Sequence, residues 1–191
     1  LVEIGYQGKK LEELESLSTA EKANMLFIVQ DPYTSYYDAK VVRDFVALTQ
    51  KLGFDPIILP FKPNGKAMHI KGFLTRFSKT AKTQAEFLNR VAKLNVPLVG
   101  VDPAIVLSYR DEYKEALGDS RGDFHVLTAH EWLTNQLESK ALQSAVKNIA
   151  KSDRTFEWHL FPHCTESTFM PNRPKEWQHI FSQFGQTLKV E

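Results

Sequence analysis

With 191 residues, 42% hydrophobic and 25% charged, the chain is long enough for one domain with a sizeable core and is not a wholly disordered segment. Its formal net charge of +1 sets up no global field toward a nucleic acid or an anionic membrane, so any partner is recognised locally. No apolar run approaches the roughly 20 residues of a membrane helix, and the first residues lack a signal peptide's charged-then-apolar pattern, so a cytoplasmic protein without a membrane span is expected.

Residues 1–24, rich in Lys and Glu from Lys9 to Ala23, read as a linker or leading helix, and 25–191 as an α/β domain. Met25–Val29 is a short apolar run, predicted as a buried strand, and the turn-prone stretch from Gln30 to Ser35 follows it. Asp38 is placed to cap a helix carrying Val41, Val42, Phe45, Leu48 and Leu52 at helical spacing, which Gly53 stops. A strand over 54–59 completes a β-loop-α-β unit, the building block of parallel sheets. After a Pro/Gly/Asn-punctuated loop, a helix is predicted over 70–94 with Phe73, Phe77, Phe87, Leu88 and Val91 turned inward. A third strand is predicted over 97–101, a helix over 106–117, a fourth strand over 124–128, and helices over 129–137 and 140–150. A fifth strand over 157–161 leads into a loop over 162–172; Pro174 opens a helix through Trp177, Ile180, Phe181 and Phe184; Gly185 stops it before a sixth strand, Thr187–Val190. The expected class is α/β, a layered, mostly parallel sheet flanked by helices and built from two pseudo-repeated β-loop-α-β halves. Because Glu191 directly follows a strand, the domain is expected to be truncated at its C-terminal end.

The repeat rests on an internal echo. Gly53 and Gly185 both close a helix before a strand and lie 132 residues apart. The same ungapped shift places Phe27-Ile28-Val29 on His159-Leu160-Phe161, Phe45 on Trp177, Leu48 on Ile180, Leu52 on Phe184, Asp31 on His163 and Pro32 on Cys164. Either the two units are related, or two β-loop-α-β units of equal length simply look alike.

Ligands of open α/β sheets bind beyond the carboxyl ends of the strands, which directs the search to three loops: Gln30 to Asp38, Asp102 to Ala104, and Pro162 to Thr168. Their candidate residues are Asp31, Tyr33, Asp102, Cys164 and Glu166, with His163 as a possible second shell to Cys164. Cys164 is the one cysteine, so it forms no internal disulfide and holds no metal or cluster alone. Its ordinary reading is a buried small hydrophobe. A Cys–His nucleophile is disfavoured because neighbours on an extended strand end point oppositely. His159 and His163 have i, i+4 spacing, but on a strand that does not join them into a zinc site. The stretch Lys62 to Lys93 sets eight cations against one acid, Glu86, and reads either as a docking face for an acidic partner or phosphate or as a solvated surface. No GxGxxG, Walker-type loop or GxSxG elbow occurs.

Three segments carry a family resemblance: Phe27 to Asp38, Val99 to Tyr113, and Phe161 to Glu166. Over them the chain resembles the cysteine-rich, Cys-Cys-Gly-type domain at the C-terminal end of large FAD-linked oxidases, those similar to D-2-hydroxyglutarate and D-lactate dehydrogenases with fused iron–sulfur modules. That domain has two similar halves, each with a lone cysteine after a strand and a Cys-Cys-Gly further on. Here Pro32 stands at the first half's cysteine position, Pro63-Asn64-Gly65 near its Cys-Cys-Gly, and Cys164 at the second half's leading cysteine. The resemblance implies an FAD- and iron–sulfur-dependent oxidoreductase acting on a D-2-hydroxy acid. In it this part is an electron-transfer or docking domain without its own catalytic site, Cys164 is a candidate iron–sulfur ligand, and the partners are upstream flavin and ferredoxin-like domains of the same polypeptide. No cofactor is expected on the fragment itself. The rivals are a non-redox interaction scaffold, and a stand-alone α/β enzyme acting on a small anionic substrate through Asp31, Tyr33, His163 and the basic region.

Overall fold

A computed structural model describes residues 11–137, 139, 142–143, 146, 156–162 and 164–191. Among these residues six strands form two parallel sheets. β1 (Met25–Val29), β2 (Asp55–Ile58), β3 (Leu98–Gly100) and β4 (Val126–Thr128) make a four-stranded sheet in the order β2-β1-β3-β4, and β5 (Glu157–Leu160) pairs with β6 (Thr187–Val190). The helices are α1 (Leu11–Glu15), α2 (Thr19–Lys22), α3 (Ala39–Lys51), α4 (Lys66–Ile70), α5 (Leu74–Ala92), α6 (Pro103–Arg110), α7 (Glu112–Leu117), α8 (Ala129–Gln136), α9 (Cys164–Phe169) and α10 (Arg173–Gln183). The predicted helix over 140–150 lies for the most part outside the described residues, as does His163.

The four-stranded sheet is covered on both faces, as parallel sheets are. All five residues of β1 are buried, which explains why its sequence is an unbroken apolar run. Met25, Phe27 and Val29 face one core, built with Phe77, Ala81, Ala85 and Leu88 of α5 and Tyr109 and Tyr113 of α6 and α7. Leu26 and Ile28 face the other, with Val42 and Phe45 of α3, Trp132 and Leu133 of α8, and Ile180 of α10. Leu14 of α1 reaches the first core, and Arg90 pairs with Glu12 and Glu15, fastening the leading helices to α5.

Four expectations about the elements are corrected. The helix predicted over 70–94 starts later, as α5 at Leu74, because the Gly72 N–H closes a turn on the His69 carbonyl at 2.9 Å and leaves a break after Ile70, the last residue of α4. Phe73 falls in that break and is 52% exposed. The helix predicted over 106–117 starts earlier, at Pro103, and divides at Asp111, whose ψ of −75° departs from regular helix. Asp38 makes no side-chain cap on α3; the chain enters that helix from a π-helical turn, Tyr33–Tyr37, with the Asp38 N–H donating to the Tyr33 carbonyl. The loop predicted over 162–172 contains α9.

The echo is structural. β1 pairs with β2 as Met25↔Asp55 through Ile28↔Ile58, and β5 pairs with β6 as Glu157↔Thr187 through Leu160↔Val190, each position shifted by 132 residues. The backbone bonds repeat with it. Gly53 N–H donates to Gln50 and Gly185 N–H to Ser182; Phe54 N–H donates to Thr49 and Gln186 N–H to Phe181; Leu59 N–H donates to Ile28 and Glu191 N–H to Leu160, all at 3.0 Å. Gly53 and Gly185 sit at φ of +87° and +68°, the left-handed region that glycine enters without cost and that ends a helix here twice.

Candidate functional site

β1 leads to β2 on one side of the sheet while β3 and β4 lie on the other, so the carboxyl ends of β1 and β3 form the topological switch point where α/β sheets open a crevice. Asp31 and Asp102 stand there, just beyond the paired Val29 and Gly100. Each carboxylate is taken up by local backbone. Asp31 Oδ1 accepts from the Tyr33 and Thr34 N–H groups at 2.8 and 2.9 Å, starting the π-helical turn, and the Thr34 hydroxyl bonds Oδ2. Asp102 Oδ1 accepts from Ala104 and Ile105 at 2.8 and 3.2 Å and caps α6. Burial, offset in part by the Gln84 hydrogen bond and reinforced by these two carboxylates, pushes the Tyr109 phenol up, so it stays a neutral hydroxyl. Tyr33 is exposed, lies 6.2 Å from the Tyr37 ring and, with Tyr36 packed edge-on against Phe61 at 5.2 Å, forms an aromatic surface.

A cleft of about 630 Å³ opens between α6, α8, α9 and α10, with Ser108, Arg110, Glu131, Thr165, Arg173 and Glu176 in its walls. It is built from ion pairs. Arg110 grips Glu131 with both guanidinium nitrogens, Nη1 to Oε1 at 2.9 Å, and also donates to the Val126 carbonyl at 2.7 Å. Burial works against the Glu131 charge, but Arg110 and the Thr128 N–H outweigh it and hold the carboxyl at about 2. Glu166 is 1% exposed and pairs with Arg173. Burial brings Arg173 down to about 10, with Glu176 and Glu131 opposing, so it remains a cation at neutral pH. Lys66 pairs with Glu112 at the rim, which lowers that carboxyl against the opposing effect of burial. Beneath the wall, His130 lies 2.8 Å from Thr128 Oγ1 through Nδ1 and 3.1 Å from Glu176 Oε2 through Nε2. Burial first, then the Arg173 charge, bring it down to about 4 against the pull of Glu131, so it is neutral at pH 7.

The predicted residues are thus dispersed. Asp31 and Asp102 come together at the switch point, Tyr33 lies outside it on the surface, and Glu166 is a buried pairing partner for Arg173 rather than a loop residue open to solvent. Cys164 is exposed at the start of α9, which overturns its ordinary reading as a buried hydrophobe. Its Sγ lies 4.0 Å from Thr165 Oγ1. Four thiolates commonly hold an iron–sulfur cluster. The chain has one cysteine, and among the described residues no group of three His, Cys, Asp or Glu side chains is placed to hold a metal ion, so these residues do not form a cluster site by themselves. His159 lies between Glu191 and Glu157, at 2.5 and 3.3 Å, on the surface of the small sheet. In the basic region Lys66 and Arg90 are paired, while Lys71, Arg76, Lys79, Lys82 and Lys93 are exposed along α4 and α5. The cleft residues Arg110, Glu131 and Arg173 were not anticipated. The Thr128–Glu131 capping box was the one local signal that could have flagged any of them. Among the described residues no helix is long and apolar enough to cross a membrane.

No family model and no solved structure matches the chain. Over all 191 residues it is 79% identical to a D-2-hydroxyglutarate dehydrogenase of Haemophilus influenzae, of which it covers 19%. Over 179 residues it is 57% identical to a D-2-hydroxyglutarate dehydrogenase of Escherichia coli and 53% identical to one of Pantoea ananatis, covering 17% of each. The chain therefore spans less than a fifth of the length of the curated relatives it matches.

Proposed function

The chain belongs with the D-2-hydroxyglutarate dehydrogenases as a segment of less than a fifth of their length, and from that premise we propose that it is an electron-transfer or docking domain of a larger oxidoreductase. That protein oxidises a D-2-hydroxy acid at an FAD held elsewhere in the polypeptide and carries iron–sulfur centres. The observation that supports the reading is identity of 53% to 79% over nearly the whole chain to proteins bearing that name. The domain spans 25 to 191, faces the flavin and ferredoxin-like parts of the same polypeptide, and works in the cytoplasm. Cys164, exposed at the head of α9, offers one thiolate to a cluster whose other ligands lie outside these residues, with His163 beside it. The exposed aromatic surface of Tyr33, Tyr36 and Tyr37 favours docking as part of the role.

The full-length protein tests this with a Cys164→Ser variant assayed two ways. Hydroxy-acid oxidation linked to a dye that takes electrons directly from flavin should stay within about twofold of wild type, while reduction of the physiological acceptor falls at least tenfold. Equal loss in both assays would place Cys164 in the hydroxy-acid chemistry, and no loss in either would remove it from electron transfer.

A further inference from the structure

β1 is flanked on both edges. β2 holds one; on the other, β3 pairs as Phe27↔Leu98, Ile28↔Val99 and Val29↔Gly100, with the Phe27 N–H donating to the Pro97 carbonyl at 2.8 Å. In the second unit β6 holds the position of β2, but among the described residues no strand pairs with the other edge of β5. Backbone groups alternate between the two edges of a strand in a parallel ladder. Since the Leu160 carbonyl faces β6, where it accepts from Glu191, the N–H and C=O of His159 face the open edge. Burial records the difference: Val29 is 4% exposed and its counterpart Phe161 77%, Leu26 is 0% exposed and its counterpart Trp158 47%. Glu157–Leu160 carries no proline, no lysine and no bulge in its register.

We propose that this edge is completed by a third parallel strand, in the register that β3 takes on β1, supplied by a further segment of the longer polypeptide. Two observations select that occupant. The register, helix stops and closing backbone bonds of the first unit all recur in the second, so β5 is shaped to take what β1 takes. The chain is also 19% of the length of a relative to which it is 79% identical, so further polypeptide is at hand in such a protein. The faces of β5 define the incoming strand. Glu157 pairs with Lys189 at 2.9 Å and His159 sits between Glu157 and Glu191, so that face is polar and solvated. The opposite face carries Trp158, whose ring lies 6.0 Å from that of Phe181 on α10. The strand is therefore amphipathic, apolar on the face it shares with Trp158 and Leu160. The proposal stands on the repeat and not on the electron-transfer reading, so either can fail alone.

Amide hydrogen exchange in the full-length protein decides it, with the Trp158 and Leu160 amides, which face β6, as internal references. The expected result is that the His159 and Phe161 amides exchange roughly 100-fold more slowly than in an unpaired peptide, unchanged on tenfold dilution. Exchange within about tenfold of the unpaired rate would overturn the proposal. Protection that weakens on dilution would overturn it too, by assigning the edge to a second copy, and so would equal protection in the 191-residue chain, which would put the occupant inside it.

Discussion

The units at 25–59 and 157–191 share their strand register and their helix stops, yet differ in what surrounds them. The first is one side of a four-stranded sheet, with β1 interior, β2 at the edge and both faces covered; the second is a two-stranded sheet resting on the first through α10, whose Ile180 lies in the core that Leu26 and Ile28 also face. The comparison separates two kinds of information. Register and helix ends are set within each unit, by loop length and by a glycine that can enter the left-handed region. Burial is set by neighbours, and the same position is core in one unit and surface in the other.

Substitutions at equivalent or joining positions sharpen that contrast. The largest effect is expected at the joint of the second unit, where Glu166→Ala leaves the Arg173 cation buried without its partner and should cost about 4 kcal/mol in urea unfolding. A double substitution, Glu166→Leu with Arg173→Met, should recover most of that loss, since the burial cost disappears with both charges. Next comes a matched pair in β1 and β5. Leu26→Ala should cost about 3 kcal/mol, because Leu26 is wholly enclosed. Trp158→Ala should cost only about 1 kcal/mol in this chain, because nearly half of the ring is already in water. Equal costs would break the claim that neighbours decide burial.

Acid should destabilise the fold in two stages. His130 in the fold titrates near 4 against an ordinary 6.5, so the unfolded chain takes up that proton first and stability falls between those values as pH drops. Glu131, held near 2 against 4.5, adds a second loss between 4.5 and 2. The first stage is worth roughly 3 kcal/mol, and His130→Gln should flatten it while leaving the second in place. The smallest effects are predicted at the two helix stops: Gly53→Ala and Gly185→Ala should each cost about 1 kcal/mol, and by nearly the same amount, because no neighbouring atom crowds either position and the φ alone sets the cost.

The strands were legible in the sequence because the signals were local and strong. Met25–Val29 and Thr187–Val190 end where predicted, and the 132-residue echo was visible in apolar positions before any pairing was known. The break at Gly72 was not legible, since an isolated glycine weakens a helix by only about 1 kcal/mol and does not by itself end one. α9 was missed because Cys164, Thr165, Ser167 and Thr168 favour helix poorly, and the segment is held by the burial of Glu166 against Arg173. Of the candidate site, the strand ends and their aspartates were readable, but not that local N–H groups occupy both carboxylates, nor that Arg110 would meet Glu131. Such pairs depend on how elements distant along the chain are packed.

The measurement that bears most directly on the proposed role is iron and acid-labile sulfide per chain, with the visible spectrum, on the full-length protein purified anaerobically, as wild type and as Cys164→Ser. The account predicts that the variant loses iron and sulfide in equal amounts, corresponding to one cluster, while its flavin content is unchanged. Iron and sulfide that remain at the wild-type level would contradict it and leave this segment as a docking scaffold.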